Sequence, residues 1–163
     1  ACSIVEQKAF DKKSFQDIYP SDDAFKTNFA HKEFLNTSRN KKIVKYILIK
    51  LENKATGQDF DLFSDVNSIE HILPENPDEN WGWKASEIEK FRYRLGNLCL
   101  LERGINHKIE NIVYSEKLQA LKRSKFLLTK EIAGNYSEWT PDTISARQSG
   151  LAKKAVNIWR IDL

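Results

Sequence analysis

The most regular pattern of hydrophobic positions lies near the end of the chain. Apolar residues recur there at helical spacing, including Ile144, Leu151 and Ile158. Thr140 followed by Pro141 is typical of a helix start, because a threonine hydroxyl caps free amides and proline fits the first helical position. The pattern predicts a long amphipathic helix whose apolar stripe packs on the rest of the protein.

The same criteria predict helices through most of the chain. Helix starts, apolar spacing and glycine stops place them at residues 21–36, 43–53, 86–95 and, in two pieces, 115–133. Residues 60–83 are rich in Asp, Asn and Pro and are predicted to be mainly loop. Two short apolar runs, at 68–73 and 98–101, are predicted to be strands. The expected fold class is therefore α+β and mostly helical.

The composition of the 163 residues narrows the protein class. With 40% hydrophobic residues and only six Gly and four Pro, the chain is globular rather than disordered or collagen-like. It has no long apolar run and no signal-peptide pattern, so we expect no membrane span and a cytoplasmic location. Cys2 and Cys99 stand far apart, which argues against a disulfide scaffold and a cysteine-rich zinc site. The chain contains no methionine, and we expect it to be a C-terminal part of a larger protein.

Charge is unevenly distributed, although the net charge is only +3. Residues 61–90 contain eight acidic and two basic residues, whereas residues 91–130 contain nine basic and three acidic residues. This order fits a cation site beside a phosphate track, and it also fits two differently solvated surfaces. Charge by itself favours the second interpretation.

Among the three histidines, His71 is the candidate for chemistry. His31 falls on the surface of a predicted helix and His107 in a polar turn. His71 follows Glu70 directly, in an apolar run that ends at Pro74. Side chains alternate along a strand, so a joint role for the pair requires the chain to bend there. By itself, a histidine in an apolar run is most often a buried residue with satisfied hydrogen bonds.

The residues that follow His71 in the chain favour a functional role for this histidine. The chain contains, in this order, an acid–histidine pair, a second apolar run opened by Gly96 and Asn97, and then Asn106. In this order of parts it resembles the HNH-type (His-Me finger) nuclease domain at the C-terminus of GmrSD-like, modification-dependent restriction endonucleases. The resemblance covers about residues 43–160. It is carried by the segments 69–74, 95–101 and 111–117, by Asn106, and by a terminal helix containing Ile144, Arg147, Leu151, Ile158 and Trp159.

The resemblance implies a small ββα-metal (HNH) finger embedded in a helical shell. It implies that residues 43–163 form the nuclease domain and that residues 1–42 form a helical extension. His71 then corresponds to the general base that activates water, and Glu70 and Asn106 to ligands of Mg²⁺ or Mn²⁺. His107, next in the chain, is the alternative to Asn106 as the third metal position. Asn97 corresponds to a residue that orients the site, and the implied products carry 5′-phosphate and 3′-hydroxyl ends.

The resemblance also implies partners. The substrate is DNA, including modified or phage DNA, in a restriction system for antiviral defence. We expect an NTP-using sensor domain N-terminal to this one in the same protein. The side chains expected to contact DNA phosphates are Arg103, His107, Lys108, Lys117, Lys122 and Arg123. The alternative is a catalytically inactive helical module that binds DNA or another protein.

Overall fold

The structure is a computed structural model and describes residues 19–160. Seven α-helices and one two-stranded sheet make up the described part of the chain. The helices are α1 (Asp22–His31), α2 (Ser38–Thr56), α3 (Ala85–Phe91), α4 (Arg103–Ile109), α5 (Tyr114–Arg123), α6 (Leu127–Asn135) and α7 (Pro141–Trp159). The strands are β1 (Asn67–His71) and β2 (Leu98–Glu102), and short 3₁₀ turns lie at Glu79–Trp81 and Leu95–Asn97. The α+β, mostly helical prediction is confirmed. Cys2 and the first part of the expected extension lie outside the described residues.

The long terminal helix α7 begins as predicted. The Thr140 hydroxyl accepts a hydrogen bond from the Thr143 amide, and Pro141 occupies the first helical position. Helix α1 also begins as predicted, because the Ser21 side chain accepts from the Ala24 amide. It ends at His31 rather than near residue 36, because the Phe34 amide donates to the Tyr93 carbonyl (2.8 Å) outside the helix. A backbone hydrogen bond between residues distant in sequence thus ends the helix earlier than local helix propensity predicts.

Helix α2 is longer than the predicted 43–53. It starts at Ser38, where the Thr37 hydroxyl accepts from the Asn40 amide, and it ends at Gly57. Gly57 has φ 70°, a left-handed conformation that suits glycine and stops the helix. The boundary expected between residues 42 and 43 therefore falls inside a continuous helix.

Two predictions between the strands and α5 are corrected. Helix α3 ends at Phe91, because Leu95–Asn97 forms a separate turn. The segment around His107, predicted to be a polar turn, instead belongs to α4, which also contains Asn106 and follows β2 without an intervening loop. Gly104 and Asn106 are poor helix formers, and α4 is stabilised instead by contacts with both strands. The two-piece helix prediction for 115–133 is confirmed by α5 and α6.

The antiparallel hairpin of β1 and β2 separates two hydrophobic clusters. His71 pairs with Leu98 and Glu70 with Cys99. Leu98 and Leu100 pack into one cluster with α2 and α7, whereas Cys99 and Leu101 pack into the other with α5 and α6. Strand β2 is therefore covered on both faces, which explains its uninterrupted apolar sequence. None of the helices among residues 19–160 has the length and apolar character needed to span a bilayer.

Candidate active site

The last two residues of β1 direct their side chains to different surroundings. His71 shares a cavity of about 430 Å³ with Ile69, two positions earlier on the same face of the strand. Glu70 is buried and pairs with Lys117 of α5. The alternation expected of a strand therefore holds to its last residue. The chain bends directly afterwards, where the Ile72 amide donates to the Asn97 carbonyl (3.0 Å).

Lys117 is held in the interior by three acceptors. Its ammonium donates to Glu70 Oε1 (2.5 Å), the His71 carbonyl (3.1 Å) and the Glu110 carbonyl (3.0 Å), and its side chain is 0% exposed. These contacts fasten the end of β1 to α4 and α5. The sequence predicts a contact of Lys117 with DNA phosphate. Its burial places the ammonium group instead against Glu70 and the backbone of His71.

Burial shifts the pKa values of both strand residues. Loss of solvent raises the pKa of Glu70 to about 7, although the neighbouring Lys117 ammonium opposes the shift. Loss of solvent also lowers the pKa of His71 to about 4; Glu75 opposes this shift, and the ammonium groups of Lys117 and Lys41 add to it. The imidazole is therefore neutral at neutral pH, which is the form that accepts a proton.

Two neighbours fix the position of the His71 ring. The edge of the Tyr93 ring meets it with 6.1 Å between ring centroids. Glu75 Oε1 lies 3.7 Å from His71 Nε2, beyond hydrogen-bond distance. Glu75 is itself fixed, because Asn36 donates to its carboxylate and the Tyr93 hydroxyl donates to Oε2 (3.4 Å). One imidazole edge thus faces the cavity with an acidic group nearby.

Asn97 joins the two strands at the bend. Its Oδ1 accepts from the Leu73 amide (2.8 Å) and from Trp139 Nε1 (2.9 Å). Its Nδ2 donates to the Leu73 carbonyl (2.8 Å) and the Arg92 carbonyl (3.0 Å). The side chain is fully buried, so it touches the chain after His71 but does not reach the cavity. These contacts fit an orienting role.

Asn106 lies on the face of α4 that meets β1. Its Nδ2 donates to Ser68 Oγ (2.8 Å) and to the Ile69 carbonyl (3.2 Å), which leaves Oδ1 as the atom of this amide available to a ligand. Asn106 lines a smaller cavity of about 260 Å³, and this cavity shares Ser68 and Arg103 with the cavity of His71. The strand and helix therefore bring His71 and Asn106 to adjoining spaces.

The chemistry of these donors fits a magnesium-type ion. Glu70 supplies a carboxylate whose Oε1 is engaged by Lys117, and Asn106 supplies an amide oxygen. Mg²⁺ is commonly bound through one or two protein oxygens, with water and substrate phosphate completing its shell. Among residues 19–160 no group of three or more His, Cys, Asp or Glu side chains could hold a metal ion. Glu70 lines neither of the two cavities, so the structure places Asn106, but not Glu70, beside open space. His107, the alternative ligand, is 71% exposed and lies beside Glu110 (3.4 Å). It lines the same smaller cavity as Asn106.

A comparison with protein families matches residues 19–154 to the C-terminal domain of GmrSD restriction endonucleases. The chain belongs to this family. A comparison with curated proteins finds no similar sequence. Membership in the GmrSD family implies a nuclease function of the restriction-endonuclease type, with DNA as substrate and a divalent metal requirement.

The matched GmrSD domain includes the whole hairpin and all seven helices up to residue 154 of α7. It begins at residue 19, so it takes in α1 and the first turn of α2. Both elements precede residue 43, where the resemblance found in the sequence began. Phe34, Asn40 and Lys41, from this part of the GmrSD domain, line the cavity of His71.

The expected phosphate contacts of the GmrSD domain separate into three groups. Arg103 is exposed and lines both adjoining cavities. His107 and Lys108 lie further along α4 on a neighbouring open depression, and His107 also lines the smaller cavity with Arg103 and Asn106. Lys122 and Arg123 are exposed at the end of α5 and do not line the cavity of His71. Among these side chains, Arg103 is the one placed beside the candidate base.

Sequence reasoning missed the residues that secure the Leu95–Asn97 turn in the GmrSD domain. Arg147, noted only as part of the terminal helix, donates to the carbonyls of Gly96 (2.6 Å) and Leu98 (2.8 Å). Gln148 Oε1 accepts from the Gly96 amide (3.0 Å). Two polar residues inside the apolar stripe of α7 were the available signal, because a polar side chain on a buried face needs a partner.

Proposed function

We propose that this domain is a metal-dependent DNA endonuclease of the HNH type, in which His71 activates water for hydrolysis of a phosphodiester bond. The observation that carries the proposal is the placement of a neutral histidine at the end of β1, in an open cavity that adjoins the cavity of Asn106. Family membership gives the nuclease class, and this geometry supports the assignment of the base. The products would carry 5′-phosphate and 3′-hydroxyl ends.

Each residue has a separate task in this proposal. The neutral imidazole of His71 takes the proton of the attacking water, while Tyr93 limits movement of the ring. Asn97 fixes the bend after β1, and Lys117 fixes the end of the strand. Glu70 and Asn106 would hold Mg²⁺ or Mn²⁺, which when bound stabilises negative charge on phosphate oxygens. Strands β1 and β2 with α4 would then form the ββα-metal finger.

The biological setting is also proposed from the family. The domain would act in restriction of modified or phage DNA, in the cytoplasm, together with an NTP-using sensor domain of the same protein. Recognition of the modification would belong to that sensor.

Plasmid cleavage tests the assignment of the base. Supercoiled plasmid is incubated with the chain and Mg²⁺ or Mn²⁺, with EDTA as the metal control. His71→Ala is compared with His31→Ala, whose imidazole is exposed on α1 and accepts or donates only within that helix. We expect His71→Ala to lose cleavage by about 10²-fold or more, as for removal of a general base, and His31→Ala to keep it. Unchanged cleavage by His71→Ala would show that another group is the base.

The metal ligands are tested in the same assay. Asn106→Ala should lower cleavage and recover partly at higher metal concentration, because a lost ligand weakens the site. His107→Ala should have little effect, since its ring is exposed beside Glu110. The opposite result, a silent Asn106→Ala and an inactive His107→Ala, would assign the third metal position to His107.

One observation favours a second function, a catalytically inactive DNA-binding module. The buried Glu70 carboxylate already has a cationic partner in Lys117, so the fold satisfies this acid without a metal ion. Plasmid binding without cleavage at any concentration of either metal would support this second function and refute the first.

A further inference from the structure

The cavity of His71 is closed on one side mainly by residues of the segment 1–42, which was expected to form an extension. The loop before α2 and the first turns of that helix contribute this wall: Phe34, Leu35, Asn36, Asn40, Lys41 and Val44. The strands contribute the opposite wall with Ser68, Ile69 and Leu98, and Arg103 lies at the start of α4. Apolar and polar side chains both line this cavity. Its charged and titratable groups are His71, Arg103, Lys41 and the Glu75 carboxylate, which lies 3.7 Å from His71 and accepts from Asn36 and Tyr93. A site with this lining suits a sugar–phosphate chain, because deoxyribose contacts apolar atoms and phosphate contacts cations.

Lys41 is exposed at the start of α2, and besides burial its positive charge contributes to the lowered pKa of His71. Among residues 19–160, no hydrogen bond or ion pair holds its ammonium group. Lys45, one turn later on the same side of α2, differs in this respect, because it donates to the Ser64 carbonyl (2.8 Å). A lysine that lines a cavity without a protein partner is available to an anionic ligand.

The start of α2 also departs from the usual charge preference of helices. Its first turn contains no acidic residue, although the helix dipole favours acids there. Arg39 and Lys41 are found there instead, and Lys42 follows directly. A local preference that is broken without a compensating contact is expected at functional positions.

The hairpin sets the distance between His71 and Arg103 along the cavity. Arg103 follows Glu102, which pairs with Asn67 at the start of β1, and His71 is at the end of that strand. Four residue steps along a strand correspond to about 13 Å. Nucleotides in one DNA strand rise about 3.4 Å each along the helix axis, so this distance accommodates about four of them.

We propose that Lys41 and Arg103, which line the same cavity as His71, bind phosphates of one DNA strand, so that α2 is part of the DNA-binding surface. This inference rests on the proposed nuclease function and assigns its substrate contacts. Lys41 acts by positioning the strand, whereas His71 acts on the water.

DNA binding without cleavage tests the role of Lys41. The full chain is titrated onto a fluorescent duplex in EDTA, and Kd is measured by anisotropy at several salt concentrations. Lys41→Ala is compared with Lys42→Ala, the adjacent exposed lysine that does not line this cavity. We expect Lys41→Ala to raise Kd about five- to tenfold and to reduce the slope of log Kd against log salt by about 1, as for one lost phosphate contact. Lys42→Ala should change Kd by less than about twofold.

The conservative variant separates binding from folding. Lys41→Arg should restore both Kd and the salt slope, because the positive charge is kept, and all variants should unfold at the same temperature. An unchanged salt slope in Lys41→Ala, or an equal loss in Lys42→Ala, would overturn the inference. If wild type cleaves plasmid and Lys41→Ala binds DNA as wild type does, this inference is refuted and the nuclease function is not. Lys41-dependent binding without cleavage by wild type would refute only the nuclease assignment.

Discussion

Replacing Gly96 by alanine should destabilise the fold strongly, because the turn at Gly96 lies directly against α7. A Cβ atom added at Gly96 would lie 2.3 Å from the Ile144 carbonyl oxygen and 3.0 Å from Gln148 Cβ. Ordinary contact distances are about 3.5–4.0 Å, so the turn and the helix would have to separate by roughly 1 Å. The obstacle is helix backbone, which cannot turn away as a flexible side chain can.

The size of the effect follows from two contributions. Forcing extra atoms into a packed interior costs about 1–3 kcal/mol. The separation also stretches the hydrogen bonds of the Gly96 amide to Gln148 (3.0 Å) and of Arg147 to the Gly96 carbonyl (2.6 Å), each worth about 1 kcal/mol. We therefore expect the free energy of unfolding to fall by about 3–5 kcal/mol, which for a chain of this size lowers Tm by roughly 10 °C.

Urea and thermal unfolding measure this effect, with Gly150→Ala as the matched control. Gly150 lies inside α7, and a Cβ atom added there meets nothing within 4 Å. Because glycine destabilises the interior of a helix relative to alanine, Gly150→Ala should raise the free energy of unfolding by about 0.5–1 kcal/mol. If Gly96→Ala unfolds within about 0.5 kcal/mol of wild type, the close packing of this turn on α7 is wrong.

Two further predictions concern the buried pair of Glu70 and Lys117. Lys117→Met should lower the free energy of unfolding by about 3–5 kcal/mol at pH 8, because it leaves the buried carboxylate without a partner. Urea unfolding of the double variant Lys117→Met/Glu70→Leu should recover most of the loss, and no recovery would refute the pairing. The second prediction concerns pH. Burial raises the folded-state pKa of Glu70 from its usual 4.5 to about 7, so the folded state holds a proton more tightly than the unfolded state. The contribution of Glu70 to the free energy of unfolding should be complete below about pH 4.5 and should be lost as the pH rises through about 7. Measured by urea unfolding across this pH range, the free energy of unfolding should fall less in Glu70→Gln than in wild type. An equal fall in both proteins would contradict the raised pKa of Glu70.

Local signals in the sequence predicted the two strands and six of the seven described helices, and they missed α4. Ser21, Thr140 and Pro141 marked helix starts that the structure confirms. These signals work because capping and amphipathic spacing act over three or four residues. Helix ends were predicted less well, since α1 ends where its chain pairs with the backbone of Tyr93, a contact between residues distant in sequence.

The candidate site was predicted in its residues but not in its surroundings. The order of Glu70, His71, Asn97 and Asn106 follows from sequence, and their roles remain a proposal. Lys117 looked like one of several surface cations, because a helical pattern shows only that a residue lies on one side of a helix. Its burial depends on Glu70, forty-seven residues earlier.

By itself, the sequence determined the fold class, the hairpin, the terminal helix and the resemblance to a nuclease family. The tertiary structure alone decided that the start of α2 faces His71, that Lys117 is internal, and that α7 secures the Gly96 turn. The physical reason is that sequence patterns report interactions between neighbours along the chain. A cavity, by contrast, is formed by elements that meet only when the hydrophobic clusters on both sides of the hairpin pack together.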